Sequence, residues 1–173
     1  MNPFDAIALH EAMDARRLQR GLSWRQVAEQ LWALSGDLNQ RRRDHPISPS
    51  TLTGIAKRGD CTCQHALFIL RWLGRSPESF LSPPRDDSDR CALPSAGPHQ
   101  RLRWNLRSLY DALDARRRER GLSWAELARQ LRCSEHQLTG IKTARYAIAM
   151  TLAMKIVQWL EQPASTFIYT AEW

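Results

Sequence analysis

The chain has 173 residues, 43% hydrophobic and 25% charged, with 25 Lys and Arg against 18 Asp and Glu for a net charge of +7. This length allows one medium domain or two small ones, and no apolar run reaches the roughly 18 residues of a membrane span, so no membrane partner is expected. The basic excess, carried almost entirely by arginine, suits a polyanionic partner.

The opening MNPFDAIALHEAMD has no basic stretch ahead of an apolar core. No secretory signal is read there, and a cytoplasmic location is expected. An internal repeat then organises the elements. AMDARRLQRGLSW at 12–24 returns as ALDARRRERGLSW at 112–124, with 10 of 13 positions identical. TLTGI at 51–55 meets QLTGI at 137–141, and ILRWLGRSPESF at 69–80 meets IVQWLEQPASTF at 156–167. Residues 4–81 and 101–170 therefore read as two copies of one unit. The division expected is a first domain at 1–81, a linker at 82–100 and a second domain at 101–173.

In the first copy, helical spacing and Gly21 mark the end of a first helix. Ser23 with Gln26 forms a capping box for the second helix, in which Ala28 permits close crossing. Residues 32–46 are an insertion with no counterpart in the other copy; it reads as a charged loop or as a basic arm for phosphates, carrying Arg41, Arg42 and Arg43. Ser48 and Pro49 open a third helix with Leu52 and Ile55 inward, and Phe68, Leu70, Trp72 and Leu73 populate a fourth. Residues 82–100 hold four prolines and no helical stripe, hence the linker. In the second copy a helix is expected over about 103–120, with Leu106, Leu109, Tyr110 and Leu113 inward. Gly121, the Ser123–Glu126 box, Leu127, Ala128 and Leu131 repeat the second helix. After a turn at 132–133, Ser134 caps a third helix with Leu138 and Ile141 inward. A long fourth helix and a short fifth one, from Pro163 toward Phe167 and Tyr169, complete an all-α reading with no strand.

The four cysteines lack the paired spacing of a zinc site, so no metal and no cofactor is expected. No Ser/His/Asp or Cys/His set recurs in both copies and no glycine-rich phosphate loop is present. An enzyme is not expected.

At RGLSWAELARQLRCSEHQLTGI, and at RGLSWRQVAEQL with ISPSTLTGIAKRG, the chain resembles the lambda-repressor-like, or XRE-type, helix-turn-helix family. The resemblance implies two tandem five-helix domains, each with its third helix in a DNA major groove. It places the DNA-binding positions on Ser48, Ser50, Thr51, Thr53, Lys57 and Arg58 in the first copy. In the second they are Ser134, His136, Gln137, Thr139 and Lys142. Trp24 with Arg25, and Trp124, stand at the start of the second helix, where the family often has a phosphate-binding glutamine. Gly54 and Gly140 leave two reading positions without a side chain. The function expected is transcription regulation through double-stranded DNA. The alternatives are a protein-interaction adaptor on the same fold, and a nucleic-acid binder without sequence preference. A second copy of the chain or a protein is the other partner the fold would admit.

Overall fold

A computed structural model describes residues 1–42, 44–84, 91–143 and 147–172. It is mostly helical. The first copy contains α1 (Ala6–Gln19), α2 (Trp24–Ala33), α3 (Gly36–Arg41), α4 (Pro49–Arg58) and α5 (Cys63–Leu73), then a 3₁₀ turn at Pro77–Phe80. The second contains β1 (Arg101–Trp104), α6 (Leu106–Glu119), α7 (Trp124–Leu131), α8 (Glu135–Gly140), a 3₁₀ turn at Ile141–Thr143, α9 (Met150–Trp159), a 3₁₀ turn at Ala164–Phe167 and β2 (Ile168–Ala171). Local chemistry sets the boundaries. Gly21 and Gly121 both take φ +63°, a left-handed turn that stops α1 and α6 without a Cβ clash. Both capping boxes form, Ser23 with Gln26 and Ser123 with Glu126, and a third joins Ser134 to Gln137. Such caps contribute about 1 kcal/mol each by satisfying N–H groups that the first helical turn leaves open.

The strand-free reading is corrected. β1 and β2 pair antiparallel, with Arg101 opposite Ala171 and Trp104 opposite Ile168. The helix expected from 103 begins only at Leu106, because Asn105 caps it by accepting from the Ser108 N–H at 3.0 Å. The fifth helix is a single 3₁₀ turn, and Tyr169 belongs to β2. The first copy keeps the same closure in reduced form: Phe4 bridges Leu81, and the Asp5 N–H donates to the Phe80 carbonyl at 2.7 Å. At the matching place the Asn105 N–H donates to the Phe167 carbonyl, also at 2.7 Å.

The two copies meet along a seam with approximate twofold symmetry. The Cys63 N–H donates to the Ile148 carbonyl (2.9 Å), and the Met150 N–H donates to the Cys61 carbonyl (2.8 Å). Cys61 and Cys63 correspond to Ile148 and Met150 in the repeat, so each bond is the symmetry image of the other. Thr62 and Ala149 form the bridge between them. Asp60 reinforces the seam: it accepts from the Cys61 N–H at 2.8 Å and from the Thr151 N–H and hydroxyl. Away from the axis, Gln158 exchanges two hydrogen bonds with the Asn2 backbone, and the Ala164 N–H donates to buried Glu78 at 2.7 Å. Most of the buried apolar residues of both copies form one continuous core.

Residues 91–100 are packed rather than loose. Arg71 donates to the carbonyls of Leu34, Ala96, Gly97 and Gln100, and Cys91 is buried. The insertion is likewise built in. Its α3 buries Leu38, whose N–H donates to the Pro98 carbonyl at 3.3 Å.

Candidate nucleic-acid interface

Ser48 begins the candidate interface of the first copy. Its side chain accepts from the Thr51 N–H at 3.2 Å, and its hydroxyl also pairs with those of Ser50 (2.9 Å) and Thr51 (2.8 Å). Leu52 and Ile55 are buried, which turns Ser50, Thr53, Lys57 and Arg58 outward; Thr51 is half-buried. The Thr53 hydroxyl lies against the Pro49 and Ser50 carbonyls at 3.3 and 3.4 Å. The Arg58 guanidinium folds back along α4, donating from Nη2 to the Thr51 carbonyl at 3.1 Å.

In the second copy, buried Leu138 and Ile141 expose Ser134, Glu135, His136, Gln137, Thr139 and Lys142. Gln137 is engaged in capping Ser134, and Thr139 donates to the Glu135 carbonyl at 3.0 Å. Lys142 Nζ lies 6.0 Å from the Tyr110 ring centre. The α-helical part of α8 is six residues against ten in α4. Glu135 also puts an acid in its first turn, where an approaching phosphate would be repelled.

The tryptophans at the start of the second helix are packed on the first. Trp24 stacks on His10 at 5.2 Å, with the Arg17 guanidinium 4.9 Å from its ring. Trp124 stacks on Tyr110 at 5.5 Å, with Arg117 at 4.6 Å. Arg25 beside Trp24 is exposed and pairs with Glu29 at 3.0 Å. The arginines at the ends of α1 and α6 are also engaged within the chain. Arg17 and Arg117 bind Asp14 and Asp114 and the carbonyls of Leu22 and Leu122. Arg16 and Arg20 cover Trp72, Arg120 covers Trp159, Arg116 meets Glu161, and Arg118 meets Asp114.

Arg41 ends α3 and is exposed, whereas Arg42 is half-buried and pairs with Asp44 at 2.8 Å. Arg43 lies outside the described residues. One cluster near the interface has no signal in the sequence. Arg101, 5% exposed at the start of β1, pairs with Asp44 at 2.6 Å, donates to the Asn39 side-chain carbonyl, and sits 4.8 Å from the Trp32 ring and 5.8 Å from the Phe68 ring. The cluster fastens the end of the insertion, four residues before Ser48, and so sets how the chain enters α4.

Burial and the neighbouring Asp60 push the Cys61 thiol up to about 12, and burial raises Cys63 well above the ordinary thiol range. Burial thus favours the neutral thiol at both positions over the nucleophilic thiolate. Among the described residues, no three His, Cys, Asp or Glu side chains converge as a metal would need, and no helix is long and apolar enough to cross a membrane. In comparisons with known proteins, no family model matches the chain, nor does any curated protein or solved structure.

Proposed function

We propose that this chain is a DNA-binding transcriptional regulator of the XRE helix-turn-helix kind, in which two tandem helix-turn-helix domains present α4 and α8 to one duplex. The observation that carries the reading is the symmetric seam. Approximate twofold symmetry about the Thr62–Ala149 bridge would give matching surfaces of the two copies equal height along the axis, which supports the reading. Most of the outward positions on both helices are polar and exposed. The last residue of α4 lies four residues from Thr62, and the 3₁₀ turn after α8 ends six residues from Ala149. At about 3.4 Å per residue the helix centres are held within roughly 50 Å, a bound that admits the roughly 34 Å of one DNA turn. Spacing would then be set by the seam rather than by the linker.

Charge supports the same reading. The 11 basic and 8 acidic residues of 1–81, and the 12 and 7 of 101–173, leave both copies positive, which favours encounter with phosphates. A second reading has one specific support: Glu135 at the tip of α8 favours a second copy that engages a protein or a second chain while only the first copy reads DNA. Titration of the full chain against random duplex at two salt concentrations, followed by selection from a random pool, separates these readings. A preferred site supports the regulator. Binding that is steep in salt and blind to sequence supports a non-specific binder, and absence of binding supports an adaptor.

A further inference from the structure

We propose that Gly54 serves to bring Arg58 over the middle of α4, and that the Arg58 guanidinium is the group with which the first copy selects a guanine. This rests on the DNA-binding reading above. A glycine at the centre of a recognition helix, taken alone, is a missing side chain. Its surroundings here give it a different role. A methyl group built on Gly54 would lie 3.0 Å from Arg58 Cζ and closer still to Nη1, so the guanidinium occupies the space that any other residue's Cβ would need.

Residues four apart lie over one another on a helix, and long side chains lean toward the helix N-terminus. Arg58 does so fully: it reaches back seven residues to donate to the Thr51 carbonyl at 3.1 Å. The cation of the last helical residue is thereby moved from the end of α4 to its central turn, over Gly54 and beside the exposed row of Ser50, Thr53 and Lys57. A guanidinium carries five N–H donors, and Arg58 remains exposed. The planar fork thus keeps free donors for the O6 and N7 acceptors that guanine shows in the major groove. Lysine could supply the charge but not the fork.

The second copy differs in sequence at this place. Gly140 holds the matching place, and among the described residues a methyl group there would meet nothing within 4 Å. Four residues on, the sequence has Ala144 instead of arginine. The second copy would therefore read its half-site without a guanine contact from this position.

The test uses the full chain, with duplexes selected from a random pool by wild type, Gly54→Ala, Arg58→Lys, Arg58→Ala and the Gly54→Ala/Arg58→Ala double variant. Wild type should prefer guanine at one position of one half-site. Arg58→Lys should lower that preference roughly five- to hundredfold while leaving the other positions unchanged. Gly54→Ala should lower the same preference even though alanine favours the helix and should raise the thermal midpoint. It should add nothing in the Arg58→Ala background, because the displaced group is gone. A preference that survives Arg58→Lys, or a Gly54→Ala chain that is more stable with unchanged selectivity, overturns this inference and leaves the regulator reading standing. A wild-type chain that selects no sequence overturns both.

Discussion

Replacing Arg101 with alanine removes the cation that holds the insertion of the first copy to the first strand of the second. The guanidinium is 5% exposed and lies between Asp44, Asn39 and the rings of Trp32 and Phe68. Breaking a buried ion pair from one side costs about 3–5 kcal/mol, and a desolvated cation–π contact adds up to about 2 kcal/mol. Two facts reduce the sum. Asp44 is 33% exposed, so water screens it, and it keeps Arg42 as a partner at 2.8 Å. A net loss of about 2–3 kcal/mol is expected, or roughly 5–10 °C in the thermal midpoint of a chain this long. Arg101→Met should lose less, because the thioether still fills the space between the rings. The pH dependence has a definite sign. Burial raises the Asp44 carboxyl, but hydrogen bonds from Arg101 and Arg42 outweigh it and hold the group below its ordinary value. The unfolded chain then binds the proton more tightly, so the contribution is present above about pH 4 and is lost as pH falls further. Calorimetry of wild type, Arg101→Ala and Asp44→Asn from about pH 3 to about pH 7 checks both parts. Arg101→Ala melting with wild type at neutral pH would refute the role given to the Arg101 cluster.

At the seam, Asp60→Ala leaves the Thr151 N–H and hydroxyl without their acceptor and should cost about 1–3 kcal/mol by denaturant titration; an unchanged midpoint would mean that the seam is not closed in solution. Arg41→Ala should weaken binding to all duplexes alike and flatten the salt slope by about one, without lowering stability, since the side chain is exposed. A change confined to one sequence would contradict that role. Iodoacetamide at neutral pH should modify neither Cys61 nor Cys63 until the chain unfolds, because both are buried neutral thiols; prompt labelling of either in the folded chain would contradict the packing around the axis.

The helices were legible because their signals are local. A capping serine and its partner three residues on, a glycine stop, and apolar spacing all lie within one element, and repetition at a fixed offset doubled each signal. The strands were not legible for the opposite reason. β1 is four residues long and one of its buried members is Arg101, which is apolar neither by type nor by local pattern. Its partners lie in the insertion, 57 and 62 residues away. The same distance hides the purpose of the insertion, whose RRRD run reads as a solvated loop until Asp44 is seen facing Arg101. The central bonds of the seam are main chain to main chain and leave no trace in side-chain identity, and Asp60 and Thr151, which reinforce them, lie 91 residues apart. Within the candidate interface, the outward positions of α4 and α8 followed from Leu52, Ile55, Leu138 and Ile141 pointing inward. The occupied state of Arg16, Arg20 and Arg120 did not follow, because it depends on Trp72 and Trp159 in a later helix. Nor did the pairing of Gly54 with Arg58, since a glycine offers no side chain from which to infer a contact.

The central proposal is that one chain lays two unlike reading helices on one duplex at a separation set by the seam. Hydroxyl-radical protection of a selected duplex, with the complex's mass taken by light scattering, measures this directly. The expected result is one chain per duplex and two protected half-sites about one helical turn apart, roughly 34 Å, unlike in sequence and unchanged when residues are inserted within 85–90. Two chains on a symmetric site, or protection of a single half-site by the first copy alone, would contradict it.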